Sequence, residues 1–218
     1  MEIKVIGSGS SGNCYRISDG TTALLLEAGL PIKKIKQGCD FDLSGISGCL
    51  VTHEHGDHAK SVRDVMKSGV DVYMTRGTAE AANLDGYRLH RIVPMVSFKI
   101  GSLKVLPFEV HHDAAEPVGY LVDSQVTGER LLFMTDTYYT QFKFQSLTHI
   151  MIEANYSADE ISDDPRAHRL RRSHMSIENC IELLKANDLS RCSEIWLIHL
   201  SSSNGDAEGF KRRVQEAT

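Results

Sequence analysis

Four residues with metal-binding side chains, His53, His55, Asp57 and His58, fall within six positions. They directly follow the apolar run SGCLVT and directly precede AKSVRDVMKSG, whose apolar spacing is helical and stops at Gly69. Side chains alternate along a strand, so a strand end holds His53 and His55 on one side. The turn through Gly56 swings Asp57 and His58 toward a neighbouring position, and two adjacent cations can be served. Imidazole with carboxylate suits zinc, and also manganese or iron.

The same alternation of strand and helix runs through the chain. EIKVI reads as a strand, the loop Gly7 to Asn13 carries three glycines and three serines, and CYRIS with TTALLLEAG reads as a hairpin closed by Asp19-Gly20. Pro31 suits the first turn of a helix IKKIKQG. VDVYMT is a strand followed by the helix-like TAEAANL, and FKI and LKVLPFEV form a second hairpin around Gly101-Ser102. GYLVDS, RLLFMTD, THIMIEA and EIWLIHL are further strands. Ser176 caps a helix IENCIELLKAN, and AEGFKRRVQEA forms the last helix. Residues 155–173 are polar and aperiodic and are read as an insertion or lid. Interleaved strands and helices of this kind fit two packed sheets with helices outside, in one domain over residues 1–218.

Net charge is −5, which argues against a generally basic protein that coats nucleic acid while leaving room for a local basic patch, and Arg166, His168, Arg169, Arg171 and Arg172 supply one. The five cysteines form no Cys-x-x-Cys pair and are expected as free thiols. No stretch approaches a membrane span and MEIKVIGSGSSGN shows no leader, so the expected location is the cytoplasm. His90, His149 and His168 are isolated and read as structural or exposed. No serine or cysteine lies in a nucleophile-elbow motif.

THEHGDH resembles the HxHxDH signature of the metallo-β-lactamase superfamily. GSGSSGN, EAGL, HDAAEPVGY, TDT, EAN, SHMS and LIHLSSSN, in that order, are similar to its YycJ/WalJ-type exonuclease-like group, with ribonuclease Z-like C-terminal motifs. The resemblance implies a four-layer αββα sandwich and two divalent ions, zinc foremost. His53, His55 and His112 would form the first site; Asp57, His58 and His199 would form the second; and Asp136 would bridge. Adjacent strand residues point to opposite faces, so only one of His111 and His112 can face the ions, and the resemblance of HDAAEPVGY favours His112. Asp57, Glu153 and His174 are the residues implied for catalysis. Glu153 and His174 would act behind the ligands or in proton transfer, with His174 close to a leaving group or phosphate oxygen. Where relatives carry Asp in the first long hairpin, this chain has Glu27.

A two-cation site suits in-line displacement at phosphate esters, and equally lactams, lactones and thioesters. The resemblance, the basic segment before His174, and the Gly7 to Asn13 loop as a phosphate cradle favour a phosphodiesterase or nuclease acting on DNA or RNA. Exonuclease and endonuclease action are both open. The competing expectations are a small-molecule metallo-hydrolase (lactonase, thioesterase or cyclic-nucleotide phosphodiesterase) and a non-catalytic, metal-stabilised nucleic-acid-binding protein.

Overall fold

The computed structural model describes residues 1–159, 165–201 and 205–218, and the side chains of all of these except 165–167. Six strands, β1 (Glu2–Gly7), β2 (Cys14–Ser18), β3 (Ala23–Leu26), β4 (Ile46–Leu50), β5 (Val72–Thr75) and β6 (Leu89–Ile92), form one sheet in chain order. The other sheet runs in the order β12-β11-β10-β9-β8-β7, from β7 (Phe98–Ile100), β8 (Leu103–Glu109), β9 (Val118–Ser124), β10 (Arg130–Met134), β11 (His149–Glu153) and β12 (Glu194–Ile198). Each sheet opens with antiparallel hairpins and ends in parallel strands: β3 to β6 are parallel in the first, β10 to β12 in the second. Helices α1 (Ile32–Gly38), α2 (Gly56–Ala59), α3 (Val62–Lys67) and α4 (Arg76–Ala81) connect strands of the first sheet. Helices α5 (Pro165–Ser173), α6 (Ile177–Lys185) and α7 (Ala207–Ala217) belong to the second half.

The strand period of two sorts apolar side chains into three cores. Leu24 and Leu26 of β3 face the inter-sheet core with Tyr120, Leu131, Phe133 and Met151. Leu25, between them, faces the opposite way, against Ile35, Val62, Val65 and Ala79 of the first set of helices. In the second sheet Leu132, Met134, Ile150 and Ile152 pack on Ile177, Leu184, Phe210 and Val214. Three cores between four layers make the αββα sandwich that was expected. Strands covered on both faces read as unbroken apolar runs, which explains LLL at 24–26.

Several local expectations hold in detail. Gly20 turns the first hairpin at φ 88°, and Ser176 Oγ accepts from the Asn179 amide at the start of α6. The cysteines are free, and no helix among the described residues is long and apolar enough to cross a membrane. Two elements differ from the sequence reading. Strand β6 has only four residues, too few to display a period. The segment 155–173 is partly helical: among the described side chains of α5 only Leu170 is apolar, and it is half-buried, so no periodicity marks the helix. Residues 160–164 of that segment, the Arg166 side chain and residues 202–204 of LIHLSSSN lie outside the described residues.

Candidate metal centre

The carboxyl ends of β3, β4, β8, β10, β11 and β12 lie at one end of the sandwich, where open sheets of this kind characteristically place ligands. From these ends come Glu27, His53, His112, Asp136, Glu153 and His199; the loop after β4 and helix α2 add His55, Asp57 and His58. Glu27 (φ 67°), Asp136 (φ 47°) and His199 (φ 53°) are all held in the left-handed region just past their strands. Such backbone costs on the order of 1–3 kcal/mol at each position and persists where surrounding structure enforces it, commonly at functional sites.

The side chains converge in two ligand sets and a third, overlapping group. One ligand atom from each of His53, His55, His112 and Asp136 lies within 4.8 Å of the others, and the same holds for Asp57, His58, Asp136 and His199; the third group joins Asp136 and His199 to Glu153 and His174. Asp136 belongs to all three. Its Oδ2 is 3.7 Å from His53 Nε2, 3.6 Å from His112 Nε2 and 3.3 Å from His58 Nε2. His199 Nε2 is 3.3 Å from Asp57 Oδ2.

Bonds behind the rings fix which nitrogens carry lone pairs. Thr52 Oγ1 donates its single proton to Glu27 Oε1 at 2.6 Å, so at 2.9 Å it must accept from His53 Nδ1. His112 Nδ1 donates to the Ser173 carbonyl at 2.8 Å and His199 Nδ1 to Glu153 Oε1 at 3.0 Å. On the neutral rings of His53 and His112 the Nε2 atoms are therefore unprotonated acceptors aimed inward. Both lie 3.1 Å from His55 Nδ1, where one proton at most serves the two. Converging lone pairs beside a buried carboxylate fit divalent cations, and the donor set is one that zinc accepts.

Electrostatics within the chain favour positive charge at the centre. Burial opposes the charged form of His199, but Asp136, Asp57 and Glu153 outweigh it and push its pKa up to about 10. Burial likewise opposes His58, whose pKa is nonetheless raised by Asp136 and Glu27. His53 is held neutral by burial and by the neighbouring His58. Asp136 is buried, which alone would raise its pKa, yet His58 and His199 hold it well below the usual carboxylate range.

His111 is exposed while the His112 side chain is 1% exposed and points into the cluster. Glu27 meets the site with its longer side chain from its left-handed backbone. It accepts from Thr52 Oγ1 and the Thr52 amide, and its Oε1 lies 3.4 Å from His58 Nδ1. Glu153 Oε1 receives His174 Nδ1 at 2.7 Å; its Oε2 receives the amides of Met175 (3.1 Å) and Thr137 (3.2 Å). The His174 and Asp57 side chains are 17% and 24% exposed against 0–3% for the His53, His58, His112, His199 and Asp136 side chains, so the centre opens to solvent on their side.

The Gly7 to Asn13 loop departs from a phosphate cradle. The amides of Gly9, Gly12 and Asn13 donate to Asn13 Oδ1, the Gly9 carbonyl and the Asp57 carbonyl. The loop braces the centre instead: Ser8 Oγ accepts from the His199 amide at 2.9 Å, and Asn13 Nδ2 lies 3.2 Å from His58 Nε2. Asn13, Thr52 and Thr137 are contributors that residue type and spacing do not flag, because each has a partner far along the chain: His58, Glu27 and Glu153. Arg169 is paired with Asp113 at 2.9–3.0 Å, which ties α5 to the loop carrying His112. His90 pairs with Asp71 and stacks on Tyr73, and His149 contacts Thr148; neither joins the cluster.

A family model described as a beta-lactamase superfamily domain matches residues 32–200. The chain is 27% identical to the exodeoxyribonuclease WalJ of Streptococcus pneumoniae, across 95% of this chain and 84% of that one. It is 25% identical to the exodeoxyribonuclease YycJ of Bacillus anthracis, across 99% and 88%. Among solved structures it shares its fold with the metallo-beta-lactamase fold protein YhfI of Bacillus subtilis (TM-score 0.79, 14% identity, 99% and 92% covered). The short form of human tRNase Z also shares the fold (TM-score 0.69, 14% identity, 93% of each chain).

Proposed function

We infer that this chain, which belongs to the beta-lactamase superfamily, is a metal-dependent hydrolase that cleaves phosphodiester bonds of nucleic acid. The observation that carries the reading is the position of Asp136 Oδ2 within 3.3–3.7 Å of ring nitrogens from both ligand sets. That is the arrangement a bridging carboxylate requires. His53, His55 and His112 would hold one ion and Asp57, His58 and His199 the other, zinc foremost with manganese or iron as alternatives. Ions so held would supply a water of lowered pKa and would neutralise charge developing on a phosphate.

The chain's own residues do the rest. Glu153, fixed by two amides, orients His174 through Nδ1 and leaves its Nε2 for a substrate oxygen. Burial opposes a proton on His174, but Glu153 and Asp136 raise its pKa, so it is suited to give a proton to the departing oxygen. Asp57, on the open side, would be one of the residues that hold an ion there. Both curated relatives carry the name exodeoxyribonuclease, which favours nucleic acid over lactones, thioesters or other small esters. The test is metal-supplemented protein incubated with end-labelled single- and double-stranded DNA and RNA, alongside lactone and thioester substrates. Release of nucleotides or fragments is expected; turnover of the small esters alone refutes the reading.

A further inference from the structure

Beside the metal centre two rings stand exposed that its chemistry does not use. His111 and Tyr138 lie with centroids 5.6 Å apart and planes 34° from parallel. His111 directly precedes His112, and Tyr138 follows Asp136 by two residues. Asp136 and Thr137 are buried, whereas Tyr138 is 39% exposed and its neighbour Tyr139 37%. Tyrosine carries a large apolar ring with a polar tip and is enriched where such a ring is covered by a partner, so exposed tyrosines beside His111 at the rim of a polar centre offer ring faces to an occupant.

The rings sit on backbone that is fixed to the centre. The His111 amide donates to Thr137 Oγ1 at 3.0 Å, and that hydroxyl donates to the Tyr139 carbonyl at 2.9 Å. Asn179 Nδ2 donates to the Tyr138 carbonyl at 3.1 Å, and the Thr137 amide donates to Glu153 Oε2 at 3.2 Å. Glu153 also orients His174. The aromatic rim and the proton-donating pair are thus parts of one hydrogen-bonded unit, and their spacing is set by the fold.

We propose that His111 and Tyr138 form a stacking shelf for a nucleobase flanking the scissile phosphate of a single-stranded polynucleotide. This rests on the nuclease reading and adds the strand form and the group recognised. Every base has a π face, so a shelf of this kind accepts any sequence. In a duplex those faces are taken up by neighbouring base pairs, and only a single strand or a frayed end offers one. A chain of net charge −5 draws little general attraction for a polyanion, which gives base stacking a larger share of binding.

The experiment compares a labelled single-stranded oligonucleotide with a strand of equal length built wholly of abasic residues. Affinity is read by fluorescence anisotropy, and hydrolysis is followed with zinc or manganese. Wild-type protein should bind the base-bearing strand about tenfold more tightly, the scale of one stacking aromatic. Tyr138→Ala should lose that preference by weakening the base-bearing strand alone, His111→Ala should move in the same direction, and Tyr138→Phe should retain it. A wild type that hydrolyses strands but ignores their bases overturns the shelf alone, as does a Tyr138→Ala variant that weakens both strands equally or neither. A wild type that cleaves neither strand overturns the shelf, and the nuclease reading falls with it when double-stranded DNA and RNA are left uncut as well.

Discussion

Thr52 hands its hydroxyl proton to Glu27 over 2.6 Å, and this one bond decides the tautomer of His53. Replacing Thr52 by Val keeps the shape and removes the relay. Partners of this kind are typically worth about 10–100-fold in metal affinity. Thr52→Val should therefore weaken retention of one ion per chain by that factor, measured by competition with a chromophoric chelator; unchanged affinity would remove the relay from the account.

Gly29 lies against the turn that carries Asp57 and His58. A Cβ there would overlap the carbonyl oxygen of Asp57, a backbone atom that no side-chain rotation can move away. The Ala28 amide also donates to the His58 carbonyl at 2.8 Å, so strain at Gly29 passes into the ligand turn. Gly29→Ala is expected to lower both thermal stability and metal content; a variant with wild-type content would show that the turn yields easily.

His174 is bonded to Glu153 at 2.7 Å and lies 4.0 Å from Asp136 Oδ2, in a group with His199 that is distinct from the two ligand sets. His174→Gln should keep metal content and lower kcat by ~10²-fold or more, the usual scale for a proton donor in the transition state. KM should change little. Loss of metal in the variant would reassign His174 to holding the ions.

Asp19 joins the hairpins of the two sheets. Its Oδ1 accepts from the amides of Thr21 (3.0 Å) and Thr22 (2.8 Å), and its Oδ2 from the hydroxyls of Ser102 (2.6 Å) and Ser124 (2.8 Å). Partial burial pushes the carboxyl up, but the bonds from Ser102, Thr22, Ser124 and Thr21 prevail and hold its pKa down to about 2. The unfolded value is about 3.9, so the stabilisation is fully present above that pH and is lost as pH falls through the folded value. Asp19→Asn should cost about 1–3 kcal/mol at neutral pH, and its deficit against wild type in urea unfolding should shrink between about pH 4 and pH 2. A deficit independent of pH would contradict the role of the charge.

Much of this was legible in the sequence because it is local. His53, His55, Asp57 and His58 sit in one turn, the period of two separates Leu24 and Leu26 from Leu25, and Ser176 announces α6. The bonds of Asn13 to the second ligand set, the relay through Thr52 and the brace from Ser8 to His199 were not legible. Each joins groups brought together only by sheet order, across up to 191 positions of chain. Helix α5 was hidden for another reason: Arg169, Arg171 and Arg172 face water, and Leu170 is the one apolar side chain among those described in it, too few to show a period. Pairing of Arg169 with Asp113 changes the reading of the basic segment, since that arginine's charge is already matched within the chain.

The central claim is that Asp136 joins two ion sites, and elemental analysis of purified wild type and Asp136→Ala after zinc or manganese loading at neutral pH tests it most directly. Two ions per wild-type chain, falling to one or fewer in the variant with the fold retained by circular dichroism, is the predicted result. Equal loading of the two proteins, or a single ion in the wild type, would contradict the account.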